Sequence, residues 1–444
     1  METIYTIENG FGCDAGVLPN GWFVGAILLQ DCDAEFLSEL GRHSVTFKKG
    51  KDEAAWSHAV VSSQRKLVLV SSTDGKIEER DLAEAERITG FACCGGEKPS
   101  LVWTEFREGV WRLVLWTPGE QRVLFESERM LRSPSAAMGG DRIVVACETT
   151  EKGRSVVAVW TDGNRSPILI EGRRPRLAGS NAGQGFLMVE RSTRLNVNLL
   201  AYRLNSRGAT KPIPVPRMGD YNFNAHLACH PSDGSLVAVY ETCPRWGMDE
   251  RVGLHRDMAL MVLVPGADRF EEGPDTQNGI LRIERTAFKD DSVQNLTTIH
   301  PRVFWLQDEL AVAFRGFRFV GAKSYGWDTY LMRHSHAGWT IPARVSAHPG
   351  PPDAGYAVWS RGEEVLSFLP CCDHLPVRSF AEEANGLPGR PTQPARKHRI
   401  EILRFGNDES LPPVTIPADK QAAYIPQEVA PDPPAMEIPG EALI

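Results

Sequence analysis

One feature constrains this chain above all others: a hairpin unit that recurs seven times at nearly constant internal spacing. Each copy opens with a short strand-forming stretch, crosses a polar turn and runs into a second, strongly apolar stretch. The copies run from Ser57 to Ser71, Gly90 to Glu105, Ser133 to Glu148, Arg174 to Glu190, Ala225 to Glu241, His300 to Arg315 and Ala354 to Pro370. Their second strands read Leu67-Val68-Leu69-Val70, Leu101-Val102-Trp103, Val144-Val145-Ala146-Cys147, Phe186-Leu187-Met188-Val189, Val237-Ala238-Val239-Tyr240, Leu310-Ala311-Val312-Ala313-Phe314 and Val365-Leu366-Ser367-Phe368-Leu369. Unbroken apolar runs of this length belong to strands covered on both faces. A repeat of this kind points to stacked supersecondary units that bury their faces against one another.

A third strand follows most hairpins: Trp111 to Trp116, Ser155 to Trp160, Val197 to Tyr202, Ala259 to Val264, Thr329 to Arg333 and Arg399 to Phe405. A short fourth strand follows a turn, as in Pro167 to Ile170 after Trp160-Thr161-Asp162-Gly163. Four antiparallel strands per unit, repeated around a ring, make a β-propeller. The sequence therefore predicts an all-β fold, a single seven-bladed propeller over residues 1–406, although 444 residues would by length alone allow about three domains. A pair of β-sandwiches is the competing architecture. The first unit is the least regular. Its outer strands must come from the charged stretch Lys76 to Ile88, which also reads as a short helix. Two N-terminal pieces, Trp22 to Leu29 and His43 to Phe47, have no hairpin of their own, and one of them is expected to complete the last blade and remove a sheet edge. After Gly406 prolines stand at 412, 413, 417, 426, 431, 433, 434 and 439, so residues 407–444 read as an acidic, Pro-rich tail, extended or disordered.

Acidic residues outnumber basic ones, 57 to 49. This disfavours a nucleic-acid or anionic-membrane surface, which needs a basic stripe. No apolar run approaches the ~18 residues of a membrane span, and no basic segment precedes an apolar core at the N-terminus. The nine cysteines are odd in number and several lie inside apolar runs, as reduced, buried cysteines do. A cytoplasmic location is the expectation. No EF-hand spacing calls for a metal, and no cofactor is expected.

The turn between third and fourth strands carries a resemblance. Ser335-His336-Ala337-Gly338-Trp339-Thr340, followed by Pro342-Ala343-Arg344-Val345-Ser346, is similar to a degenerate Asp-box turn of the sialidase-like, or BNR-repeat, propellers. Trp116-Thr117-Pro118-Gly119 and Trp160-Thr161-Asp162-Gly163 occupy the same place, while the box's Asp is absent from Ser335 to Trp339. The blade number and the use of His, Tyr and Arg also resemble the seven-bladed polysaccharide lyases. The resemblance implies a propeller and a carbohydrate-related role, at the level of fold analogy.

In a propeller the loops entering the first strand and leaving the second share one face. The loops leaving the second strand are long in the last three units, Thr242 to Met258, Gly316 to Asp328 and Cys371 to His398, and are expected to build a cleft there. His226 and His300 open adjacent units and form a candidate base–acid pair, with Tyr325 as proton donor. Arg302, Arg315 and Arg245 are candidate binders of a substrate carboxylate, and Trp327 offers a stacking surface. At the ends of the second strands stand Glu105, Glu148, Glu190 and Glu241. Each reads either as an acceptor for a neighbouring blade's backbone or Arg, or, for Glu190 and Glu241, as part of a substrate site. Three functions follow: a non-catalytic module for a glycan or protein ligand, a glycan lyase acting on uronates through His, Tyr and Arg, or a glycosidase using two carboxylates.

Overall fold

The computed structural model describes residues 1–29, 64–95, 98–161, 166–193, 195–205, 208–243, 256–281, 283, 298–306, 309–319, 325–348, 350, 355–361, 364–372 and 398–406. The chain opens with β1 (Glu2–Glu8). An antiparallel meander follows: β2 (Gly10–Leu18), β3 (Gly21–Leu29), β4 (Gln64–Thr73) and β5 (Lys76–Glu84). The next is β6 (Arg87–Cys94), β7 (Ser100–Arg107), β8 (Val110–Thr117) and β9 (Glu120–Ser127), and then β10 (Arg132–Gly139), β11 (Arg142–Glu151), β12 (Arg154–Thr161) and β13 (Ile168–Glu171). In the following sheet β14 (Arg173–Gly179), β15 (Gly185–Ser192) and β16 (Val197–Asn205) are completed by two short pieces on β16, namely β17 (Gly208–Ala209) and β18 (Ile213–Pro214). Likewise β19 (Tyr221–Cys229), β20 (Leu236–Cys243) and β21 (Asp257–Leu263) carry β22 (Glu271–Glu272) and β23 (Ile280–Leu281) on β21. Next, β24 (Thr298–Leu306), β25 (Glu309–Phe319) and β26 (Tyr325–Ser335) carry β27 (Gly338–Trp339) and β28 (Ala343–Arg344) on β26. Finally β29 (Ala357–Arg361), β30 (Glu364–Cys372) and β31 (His398–Gly406) form a sheet whose outer strand is β1.

The first strands touch one another in a cycle: β2 with β6, β6 with β10, β10 with β14, β14 with β19, β19 with β24, β24 with β29, and β29 with β2. Four-stranded antiparallel sheets arranged this way form an all-β propeller, and each sheet is a blade, named below by its first strand. The β14 and β19 blades are also joined by one parallel bridge, Val197 to Tyr221.

Local chemistry explains the meanders. The hairpins β4–β5, β7–β8 and β11–β12 turn on Asp74-Gly75, Glu108-Gly109 and Lys152-Gly153, with both residues of each pair at positive φ. Such two-residue turns match the right-handed twist of the flanking strands, and glycine takes the second place without a Cβ clash. The core lies between blade faces. Phe23, Leu67, Trp103 and Val114 pack across the β2–β6 seam, and Val102, Leu113, Val145 and Ala158 across the β6–β10 seam. Trp103 is fully buried. Both faces of every middle strand meet a neighbour, which is why those strands read as apolar runs.

The structure corrects the expected start of the ring. Leu67 to Ser71 belongs to β4, the third strand of the β2 blade, and the inner hairpin of that blade is β2–β3. Ser57 to Val60 lie outside the described residues. Trp22 to Leu29 is β3 and does not close the last blade; Glu2–Glu8 does, pairing antiparallel with β31 through Glu2–Arg404 and Glu8–Arg399. His43 to Phe47 lies outside the described residues. The charged stretch from Lys76 is a strand, β5. The supposed loop from Gly316 to Asp328 is mostly a ladder, with Phe317 opposite Trp327 and Phe319 opposite Tyr325, since aromatic residues favour extended pairing. The tail beyond Gly406 lies outside the described residues.

Candidate functional site

Four inner strands are interrupted near their start in the same way. The ladder slips between Arg132 and Ser135, Arg173 and Arg176, Phe223 and His226, and Ile299 and Arg302. In these bulges Ser133, Arg174, Asn224 and His300 adopt φ of 50°, 47°, 50° and 51°. That region is costly for residues other than glycine unless the surroundings hold it. Three of the four have an evident holder, a carboxylate from the preceding blade. Glu148 Oε2 accepts the Arg174 N–H at 3.0 Å, Glu190 Oε1 accepts the Asn224 N–H at 3.0 Å, and Glu241 Oε1 accepts the His300 N–H at 2.8 Å. Cations complete the arrangement: Arg132 bonds Glu148 at 2.6 Å, Arg173 pairs with Glu190 at 3.2 Å, and Arg256 bonds Glu241 at 2.9 Å. Asn224 Nδ2 adds a bond to Glu241 at 2.8 Å. The second-strand glutamates are thus seam fasteners. Glu105, in contrast, accepts from its own strand's Trp103 Nε1 at 2.7 Å.

The residue that follows each bulge makes a second belt of links. Ser135 Oγ accepts the Leu177 N–H at 3.0 Å, Arg176 Nε donates to the Ala225 carbonyl at 3.1 Å, and His226 Nδ1 accepts the Val303 N–H at 3.2 Å. In the β2 blade Asp14 does the same work, its Oδ2 accepting the Cys93 N–H at 2.8 Å. Arg302 departs from the pattern. Its Nη1 skips the β29 blade and reaches Asp14 Oδ1 at 3.1 Å, with its guanidinium 5.3 Å from the Tyr356 ring centre. Tyr356, fully buried, donates its OH to the His300 carbonyl at 2.6 Å, and Arg315 stands 5.0 Å from the same ring.

Arginine crowds this end of the fold, and the titrating groups register it. Burial first, then Arg302 and Arg176, hold His226 well below the usual histidine range. Burial, then Arg315, Arg256, Arg176 and Arg302, push His300 down to about 3. His398, at the start of β31, is pushed down to about 4 by burial. All three are neutral at pH 7, and His226, accepting at Nδ1, carries its proton on Nε2. Burial pushes the Glu241 carboxyl up against the opposing pull of Arg256 and its N–H donors. Burial and then Arg302 lower Arg176.

Depressed histidines make stability fall with acid. Below pH ~6.5 the unfolded chain takes up protons that the folded histidines refuse, until the pH reaches their folded values. The expected loss between pH 6.5 and 5 is ~2 kcal/mol per such histidine. Urea titrations at pH 7 and 5 check it: His398→Gln should flatten the difference by that amount, and an unchanged difference would contradict the assignment.

The structure brings His226, His300, Arg302 and Arg315 into one neighbourhood, since both histidines feel Arg302 and Arg176 and since Arg302 and Arg315 share Tyr356. Glu190 and Glu241 stand at consecutive seams. Tyr325 and Trp327 lie on β26, opposite Phe319 and Phe317. Arg245 and the residues 244–255, 320–324 and 373–397 of the long loops lie outside the described residues. Sequence reasoning missed Asp14, Arg176, Tyr356 and Arg256. The signal for Arg176 was present: Ser133-Pro134-Ser135, Arg174-Pro175-Arg176 and His300-Pro301-Arg302 align, and place Arg176 where Arg302 stands. Proline suits the middle of the bulge, where the ladder asks for no N–H. Among the described residues no group of three or more His, Cys, Asp or Glu side chains is placed to hold a metal ion.

No protein-family model matches the chain, and no curated protein matches it. Distant structural similarity to β-propellers is found. TolB from Acinetobacter baumannii superposes with a TM-score of 0.36 at 10% identity, over 74% of this chain and 79% of that one. CoXyl43, a GH43 β-xylosidase/α-arabinofuranosidase from a compost microbial metagenome, gives 0.30 at 12%, over 64% and 97%. Trypanosoma rangeli sialidase gives 0.41 at 10%, over 73% of this chain and 55% of that one.

Proposed function

We propose that the chain is a seven-bladed propeller that acts as a non-catalytic binding module, taking a glycan or protein ligand at the face where the inner strands begin. The closed cycle of seven first strands supports the blade count. One observation carries the functional reading: groups that catalysis would need there are engaged in joining blades. The Nδ1 lone pair of His226 accepts the Val303 N–H, so this nitrogen is not available to remove a proton. Glu190 and Glu241 each hold the backbone of the next blade and an arginine, which argues against their serving as an acid and a nucleophile. The Cys13 thiol is equally unsuited: burial raises it to about 12, and its Sγ donates to the Phe368 carbonyl at 3.2 Å.

The test is a panel of uronate-containing and neutral glycans incubated with the full chain. Ultraviolet absorbance follows unsaturated uronate, a reducing-end assay follows hydrolysis, and glycan capture on a surface follows binding. Capture of at least one glycan without product is the expected result. Product formation that disappears in His300→Gln would overturn the module reading in favour of a lyase.

A further inference from the structure

Arg176 is the group that the fold leaves least explained. Its Nε–H bonds the Ala225 carbonyl, but among the described residues no carboxylate stands within 4 Å of its guanidinium. The other arginines of the belts are matched: Arg302 with Asp14, Arg256 with Glu241, Arg132 with Glu148, Arg173 with Glu190. A half-buried guanidinium has five N–H donors; Arg176 lies near a second cation, Arg302, and the two carboxylates that act on it, Glu190 and Asp14, do so without a direct contact and are engaged with other arginines. Arg176, His226 and Arg302 hold the same register position in three consecutive blades, the residue directly after the bulge, so they stand at one level of the ring. His226 adds a donor there, because the Val303 N–H fixes its proton on Nε2. Two arginines and one aspartate leave this level with a net positive charge.

We propose that the channel at this level binds a compact oxyanion, a carboxylate or a phosphate group, with Arg176 as its chief partner and the His226 Nε2–H as a second donor. The inference rests on the binding-module reading and specifies the charge and size of the group recognised. The planar guanidinium fork suits a two-point contact with either group. The neutral histidine contributes a hydrogen bond without adding a charge to those of Arg176 and Arg302.

Isothermal titration of the full chain at pH 7.5, with sodium phosphate in one arm and sodium glucuronate in the other at constant ionic strength, tests this directly. Saturable binding in at least one arm is expected, and the responding arm identifies the group. Arg176→Gln should weaken it at least ~10-fold, the usual consequence of losing a charge-assisted contact. Arg122→Gln, an exposed position on β9, should leave it unchanged. Should Arg176→Gln fail to fold, Arg176→Lys replaces it, and is expected to weaken binding through loss of the fork. Failure of both anions to bind the wild-type chain, or unchanged binding in the folded Arg176 variant, overturns the inference. Glycan capture that neither anion competes away would leave the module reading standing while this inference falls. Anion binding with no glycan captured would do the reverse for the glycan ligand.

Discussion

Replacing Glu241 with Ala should lower the stability of the folded chain by about 3–5 kcal/mol, the usual cost of removing one partner of a buried ion pair. The carboxylate is fully buried and serves four tasks at once. It balances Arg256, accepts the Asn224 amide, accepts the His300 N–H, and so holds His300 at a φ of 51°. Alanine leaves the Arg256 guanidinium without its carboxylate and strands an N–H donor at the seam between the β19 and β24 blades. Glu241→Gln retains one acceptor oxygen and should cost less, since that oxygen can still take the His300 and Asn224 donors while the charged bond to Arg256 is lost. Urea titration at pH 7 reads both. A loss under ~1 kcal/mol for the alanine variant would show that solvent takes over the carboxylate's bonds, and that the glutamate does not fasten the seam.

Deleting residues 1–8 should have a comparable or larger effect. β1 is the outer strand of the last blade, paired along its length with β31, and Ile7 enters the cluster that joins the β29 and β2 blades. Tyr5 OH also reaches Glu79 on β5 at 3.1 Å, and Arg404 bonds Glu2 at 2.6 Å. Without β1 the ring loses a strand from its closing blade and exposes the backbone of β31. An unpaired edge of that length is a template for another chain. The expected outcome is a lower melting temperature together with oligomers or aggregate in size-exclusion chromatography. A deleted chain that stays monomeric and melts within ~2 °C of the full one would show that β1 is dispensable for closure.

These two cases mark where the sequence is readable and where it is not. Six hairpins, and the third strand after each, were legible, because a middle strand covered on both faces must be apolar throughout and the short turns need glycine or polar residues. The first hairpin was misplaced for the same reason. Leu67 to Ser71 is as apolar as any second strand, yet it is a third strand, and only its neighbours distinguish the two. The closing strand Glu2–Glu8 was overlooked because an outer strand is exposed on much of its surface and its pattern is weak.

The glutamates at the strand ends were visible as a repeated position. Their role was decided by tertiary structure, since Glu148, Glu190 and Glu241 each accept a hydrogen bond from a backbone group between 26 and 59 residues away. The same holds for Asp14, which meets Cys93 and Arg302 at separations of 79 and 288. Hydrophobic periodicity and turn chemistry act over a few residues, so the sequence by itself determined the strands, the hairpins and the repeat. Seam contacts form only when blades meet, so the ring's closure, the left-handed bulges, the neutral histidines and the unmatched charge of Arg176 were decided by the fold.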